Sequence, residues 1–158
     1  MDTILEELAA SLPDARETVR VVVRLLAAML VGGIIGLQRE SSGKAAGLRT
    51  HILVCMGTAL FVLAAAGIDM QQDAMSRVVQ GLATGIGFLG AGAILRLESS
   101  RRIQGLTTAA GIWMTAALGV AIGLGQLGTA AIGTIFAWVV LALLIKLDKR
   151  IDESVNSA

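Results

Sequence analysis

From residue 78 to residue 95 the chain carries no charged side chain, and this apolar run of 18 residues encloses Gly85-Ile-Gly87-Phe-Leu-Gly90-Ala-Gly92. The letters contain G-x-G-x-x-G, the dinucleotide-binding fingerprint. That fingerprint requires a strand before it, a helix after it and an acidic residue about 20 positions further on. Glu98 comes too early to serve, and the next acid is Asp148. The run is instead long enough to cross a bilayer, at the lower end of the range. Its glycines therefore suit close approach between membrane helices better than contact with a pyrophosphate.

Composition agrees with that choice. Of 158 residues, 55% are hydrophobic and 16% charged, against about 25% charged in an average soluble protein. Mean hydropathy is +0.77. A soluble domain of this length buries only about two thirds of the surface its unfolded chain exposes, too little to hide so much apolar area. Nineteen glycines and one proline fit membrane helices, where glycine is common. The single cysteine, Cys55, excludes an internal disulfide and a cysteine metal cluster, and its apolar surroundings suit a small buried hydrophobe.

Four further runs resemble the first, so that crossings are expected at about 21–37, 52–68, 78–95, 106–124 and 127–145. Only the run at 21–37 contains a charge, Arg24. Gly125 and Gln126 alone separate the last two, which predicts a tight helical hairpin. The first loop carries Arg39, Lys44 and Arg49, the third Arg96, Arg101 and Arg102, and the tail Lys146, Lys149 and Arg150. The second loop holds Asp69 and Asp73, with Arg77 at its edge. The positive-inside rule then places loops one and three and the C-terminus in the cytoplasm. The expected fold is all-α, a bundle of five transmembrane helices over 14–146 with the N-terminus outside and a cytoplasmic tail over 147–158. Residues 1–13 lack the basic start of a signal peptide. They predict a short interfacial amphipathic helix, ended by Pro13, after which Asp14-x-x-Glu17 resembles a capping box. No second domain is expected.

Small residues recur at four-residue spacing, which lets membrane helices approach closely. The pairs are Gly32 and Gly36, Gly81 and Gly85, then Gly111, Thr115, Gly119 and Gly123, then Gly125, Thr129 and Gly133. They predict helix packing and self-association, with a dimer favoured. The alternative for the third span, dense in glycine at Gly81, Gly85, Gly87, Gly90 and Gly92, is that it lines a path, since irregular backbone at depth requires cover by protein or water.

Two groups of charges stand out. Arg24 lies about one turn inside the outer boundary. Either it snorkels to the headgroups, or it pairs with Asp69 or Asp73, beside Arg77, in a polar cleft. At the cytoplasmic ends, Arg39 and Glu40, Arg49, Thr50 and His51, Arg96, and Thr107 and Thr108 share one side of the membrane. Such arginines either bind anionic lipid and fix topology, or join helix N-termini in a cluster that reads a ligand or partner. His51 has no second His or Cys near it, which disfavours a transition-metal site. Magnesium prefers oxygen ligands, and Glu40, Asp69 and Asp73 are the carboxylates at the membrane edge. No catalytic constellation is present, so an enzyme is not expected. A net charge of +1 disfavours nucleic-acid binding.

Gly36-Leu-Gln-Arg-Glu40, Gly47-Leu-Arg-Thr-His51, Arg77, the Gly85–Gly92 motif and Gly105-Leu-Thr-Thr-Ala-Ala-Gly-Ile-Trp113 together resemble the MgtC/SapB family of bacterial membrane proteins. The resemblance covers about residues 20 to 145, and its order and spacing make it specific. It implies a multi-pass inner-membrane protein linked to magnesium limitation and, in some pathogens, to survival in macrophages. It also implies Mg2+ as a ligand or substrate and the ATP synthase as a partner. By motif it singles out Arg39, Glu40, Gly47, Arg49, Thr50, Arg77, Gly85, Gly87, Gly90, Gly105, Thr107, Thr108 and Trp113. Gln38 departs from the acid often found before the Arg, and Gln80 sits one position earlier than the usual glutamine. The soluble C-terminal domain of many members is not expected here.

The leading expectation is a regulatory membrane protein in adaptation to low magnesium or envelope stress. In it, Glu40, Arg49 and Arg96 hold helix ends in one of two arrangements that a partner biases. The second is a transporter or channel for magnesium or another small ion, and the third a sensor of lipid or phosphate.

Overall fold

The structure, a computed structural model, describes residues 14–66, 72–96 and 103–156. The expected N-terminal interfacial helix, Asp69, Arg101 and Arg102 lie outside the described residues, as do the side chains of Arg96 and of the last helix beyond residue 143.

Five helices form. They are α1 (Ala15–Ser41), α2 (Leu48–Ala66), α3 (Gln72–Gly92), α4 (Leu106–Gly123) and α5 (Leu127–Asn156). Three of them, α1, α2 and α4, are long and apolar enough to cross a membrane, and Leu127–Leu143 of α5 is a shorter apolar stretch. At 1.5 Å per residue, α1 with its 27 residues is about 40 Å long.

Local chemistry sets the ends. Asp14 caps α1, its Oδ1 accepting from the Glu17 amide at 2.6 Å, with Glu17 adding negative charge to the first turn. Gly43, at φ +66°, turns the chain after α1. Glu40 then caps α2, its Oε2 accepting from the Leu48 amide at 2.8 Å. The α4–α5 hairpin closes with a Schellman motif: Gly125 N–H donates to the Ile122 carbonyl and Gln126 N–H to Ala121, both at 2.9 Å, with Gly125 at φ +84°.

Two boundaries differ from the sequence expectation. The third helix ends at Gly92 rather than residue 95, because Leu95–Arg96 pairs antiparallel with Ile103–Gln104 in a short β-ladder, β1 with β2. The fifth helix runs through the expected tail to Asn156. No glycine or proline follows Gly133 within it, so nothing in the backbone stops propagation.

Helix α2 sits between α1 and α4. The packing is dry and close because glycines meet backbone. A side chain at Gly32 would lie 2.7 Å from the His51 carbonyl oxygen, and one at Gly36 2.7 Å from the Leu48 Cα. On the other side of α2, Gly119 sits against Cys55 and Thr58, and Gly123 against Ala59 and Val62. Ala28, Cys55, Ala59, Ile122 and Ala130 form the central cluster. Ile35, Leu118, Ala137 and Leu141 join α1, α4 and α5, while Ile86 brings α3 onto Ile112 and Ala116 of α4. Large apolar side chains cover the outside, Phe88 at 80% exposure and Leu53 at 70% among them. That is the surface expected where lipid is the solvent.

Candidate functional site

At the end of the bundle that carries loops one and three, the side chain of Arg39 is fully buried. It enters from the last turn of α1 and meets α2 and α4. Gly111 of α4 faces it at ordinary contact distance. A Cβ there would stand 3.5 Å from His51 Cε1 and 3.9 Å from Arg39 Nε. Arg39 Nη2 donates to Thr108 Oγ1 at 3.3 Å. Its Nε and Nη1 have no hydrogen-bond partner, and among the described residues no carboxylate pairs with it. Burying a guanidinium with so little compensation costs several kcal/mol.

His51 lies beside it, also fully buried. Its Nδ1 is 2.7 Å from Thr115 Oγ1, and that hydroxyl donates to the Gly111 carbonyl at 2.9 Å. Thr115 Oγ1 thus stands between the Gly111 carbonyl and the imidazole and ties the ring to α4. Nε2 is buried without a partner. Gln38 extends the polar layer: Nε2 donates to the Leu141 carbonyl of α5 at 2.9 Å, and its Oε1 is buried and unpartnered.

Above Arg39 a polar cleft of about 560 Å³ opens, lined by Lys44, Ala93, Gln104, Gly105, Thr107 and Thr108 as well as Arg39. Gly105 is required at its corner. It has φ +93°, and a side chain would collide with the Ala93 carbonyl.

The residues singled out from sequence divide accordingly. Arg39 and Thr108 come together, with Thr107 exposed on the cleft rim. Glu40 is exposed and bonds the Leu48 backbone rather than the Arg49 guanidinium, which is itself exposed. Thr50 lines a neighbouring cleft with Ala46, Phe88 and Thr108. At the opposite end, Arg24 is half-buried near the C-terminus of α4. Its Nη1 donates to the Gly123 carbonyl at 2.7 Å, satisfying an orphan acceptor at the end of α4. Asp73 and Arg77 are exposed in α3.

The glycines divide too. Gly111, Gly119 and Gly123 press on α1 or α2, and Gly90 rests 3.7 Å from Ala109, whereas Gly81, Gly85, Gly87 and Gly92 meet nothing within 4 Å. Gly81 and Gly85 line an apolar groove between α2 and α3 of about 650 Å³. Gly87 lines another with Gly90 and Trp113. Sequence reasoning gave His51 only a metal test and read Gln38 as a lost charge and Thr115 as a packing residue. The available signal was a hydroxyl within the small-residue stripe of α4, at a depth where a polar group needs a partner.

Long apolar helices joined along glycine seams, with a cationic side chain sealed at one end, define an α-helical membrane protein. The chain belongs to the MgtC family, whose model matches residues 25–150. Protein SrpB of Synechococcus elongatus is 50% identical over 130 residues, covering 75% of this chain and 71% of its own. YhiD of Escherichia coli K12, provisionally named a magnesium transporter, is 39% identical over 141 residues, covering 85% and 65%. Protein MgtC of Salmonella typhimurium LT2 is 40% identical over 137 residues, covering 87% and 58%. The chain thus spans less than two thirds of the latter two. No solved structure matches it.

Proposed function

We propose that this chain is a regulatory protein of the bacterial inner membrane, with five spans, N-terminus outside and C-terminus cytoplasmic. It acts in magnesium adaptation by binding a membrane partner. The observation that carries this reading is the buried Arg39 guanidinium with two unpartnered nitrogens. An interior positive charge repels a passing Mg2+, and the neighbouring carboxylate of Glu40 is engaged at the α2 cap. A cation path would want oxygen ligands there. A charge short of partners is instead suited to an equilibrium between two arrangements of α1 and α4, which an acceptor group can bias. The partner implied by the family resemblance is the ATP synthase, and self-association into a dimer accompanies this reading.

The name of YhiD favours a second reading, magnesium transport. Proteoliposomes loaded with a magnesium-sensitive dye separate the two. The regulatory reading expects no saturable flux, together with a copurifying membrane protein whose recovery falls in Arg39→Gln. Saturable flux that Arg39→Gln abolishes would overturn it.

A further inference from the structure

The polar cleft above Arg39 has the chemistry of an anion site, and we infer that it binds a phosphate group. This inference rests on the regulatory reading of the Arg39 site and names what that site takes.

Three sources of positive potential converge on the cleft. The first is Arg39, fully buried at its floor, with Nε and Nη1 making no hydrogen bond. A guanidinium has five N–H donors, and here one bond, to Thr108, is made. The second is Lys44, exposed on the turn after α1 and lining the same cleft. The third is the start of α4. Gly105 supplies no side-chain cap, so the first N–H groups of an 18-residue helix face the cleft with the positive end of its dipole. Thr107 and Thr108 add hydroxyls. Among the described residues no Asp or Glu lines the cleft.

The donor set suits a tetrahedral oxyanion better than a carboxylate. Donors approach from the floor, from the α1–α2 turn and from the α4 N-terminus. A carboxylate offers two oxygens in one plane, whereas a phosphate offers three or four in different directions. A volume of about 560 Å³ admits a phosphate with its substituent. Bound there, phosphate ties the end of α1 to the start of α4 and sets its negative charge over the buried guanidinium. A lipid headgroup and free phosphate share this chemistry.

The test uses the full chain in nanodiscs of phosphatidylcholine alone, titrated with inorganic phosphate by calorimetry. A second arm replaces part of the lipid with phosphatidic acid and reads the headgroup ³¹P resonance without added phosphate. Saturable binding in the first arm assigns free phosphate. A shifted headgroup resonance in the second assigns the lipid. In either case Arg39→Gln should weaken binding about tenfold or more. Lys44→Gln and Thr107→Val, both at exposed positions, should weaken it less while leaving the fold intact, and Arg49→Gln should leave it unchanged. Absence of binding in both arms overturns the inference. So does binding that Lys44→Gln and Thr107→Val leave untouched, which decides the matter even where Arg39→Gln fails to fold. The regulatory reading fails separately, by magnesium flux: a chain that binds phosphate and also moves magnesium keeps the site and loses that reading.

Discussion

Arg39 and His51 share one glycine. Gly111 faces both the guanidinium and the imidazole beneath the α4 helix, where a methyl would stand in ordinary contact and a longer side chain would press on both. Gly111→Leu should overpack that space and destabilise the bundle by about 1–3 kcal/mol, read as a fall in the thermal midpoint in detergent micelles. Thr115→Val keeps the shape and removes the hydrogen-bond partner of His51 Nδ1. A buried polar atom left unsatisfied costs about 1–3 kcal/mol, so the midpoint should fall, and Thr115→Ser should recover most of it. None of this was visible in the local sequence. Arg39 stands at the edge of an apolar run, where arginines ordinarily reach for headgroups. Its hydrogen bond reaches Thr108, 69 positions away. The motif singles out Arg39 and Thr108, and the small-residue stripe Gly111, but neither places them in contact.

At the scale of helices, the apolar runs and their charged flanks were enough to locate all five elements, because in hydrocarbon an uncharged run of this length has few alternatives to a helix. The capping pattern at Asp14 and the turn at Gly125 were legible for the same reason: each depends on residues adjacent in sequence. Which glycine face meets which helix was not legible. Four-residue spacing occurs in α1, α3 and α4 alike, yet α1 and α4 use it against α2 while much of the α3 stripe stays open within one chain. A contrast follows. Gly119→Ala should lower thermal stability, since its methyl would strike Thr58 and Cys55. Gly85→Ala meets nothing and should raise helix stability by up to about 1 kcal/mol. Should Gly85→Ala instead lower stability or shift the species seen on size exclusion, the open face of α3 contacts another chain. The Arg24 cap belongs to this scale too. Arg24→Gln removes a charge-assisted bond to the end of α4 and should cost about 1.5–3 kcal/mol, measured by unfolding in micelles.

For the whole molecule, the orientation inferred from loop charge is testable with one reagent. Cys55 is fully buried and should resist a membrane-impermeant maleimide in intact cells. Gln126→Cys, at the exposed α4–α5 turn, should label from outside. Ser41→Cys, at the end of α1, should label only after the membrane is opened. The reverse pattern would invert the topology. The two arginines of α1 that reach inward, Arg24 and Arg39, both find their partners on α4. That fact bears on biogenesis. The ribosome delivers α1 first and α4 only after α2 and α3 have emerged, so both cations must wait in a half-built bundle for acceptors not yet synthesised. A nascent chain arrested before residue 106 should therefore leave a cysteine placed near Arg39 open to label, and one arrested beyond residue 124 should not. The bundle is locked by its fourth helix, late in its own translation.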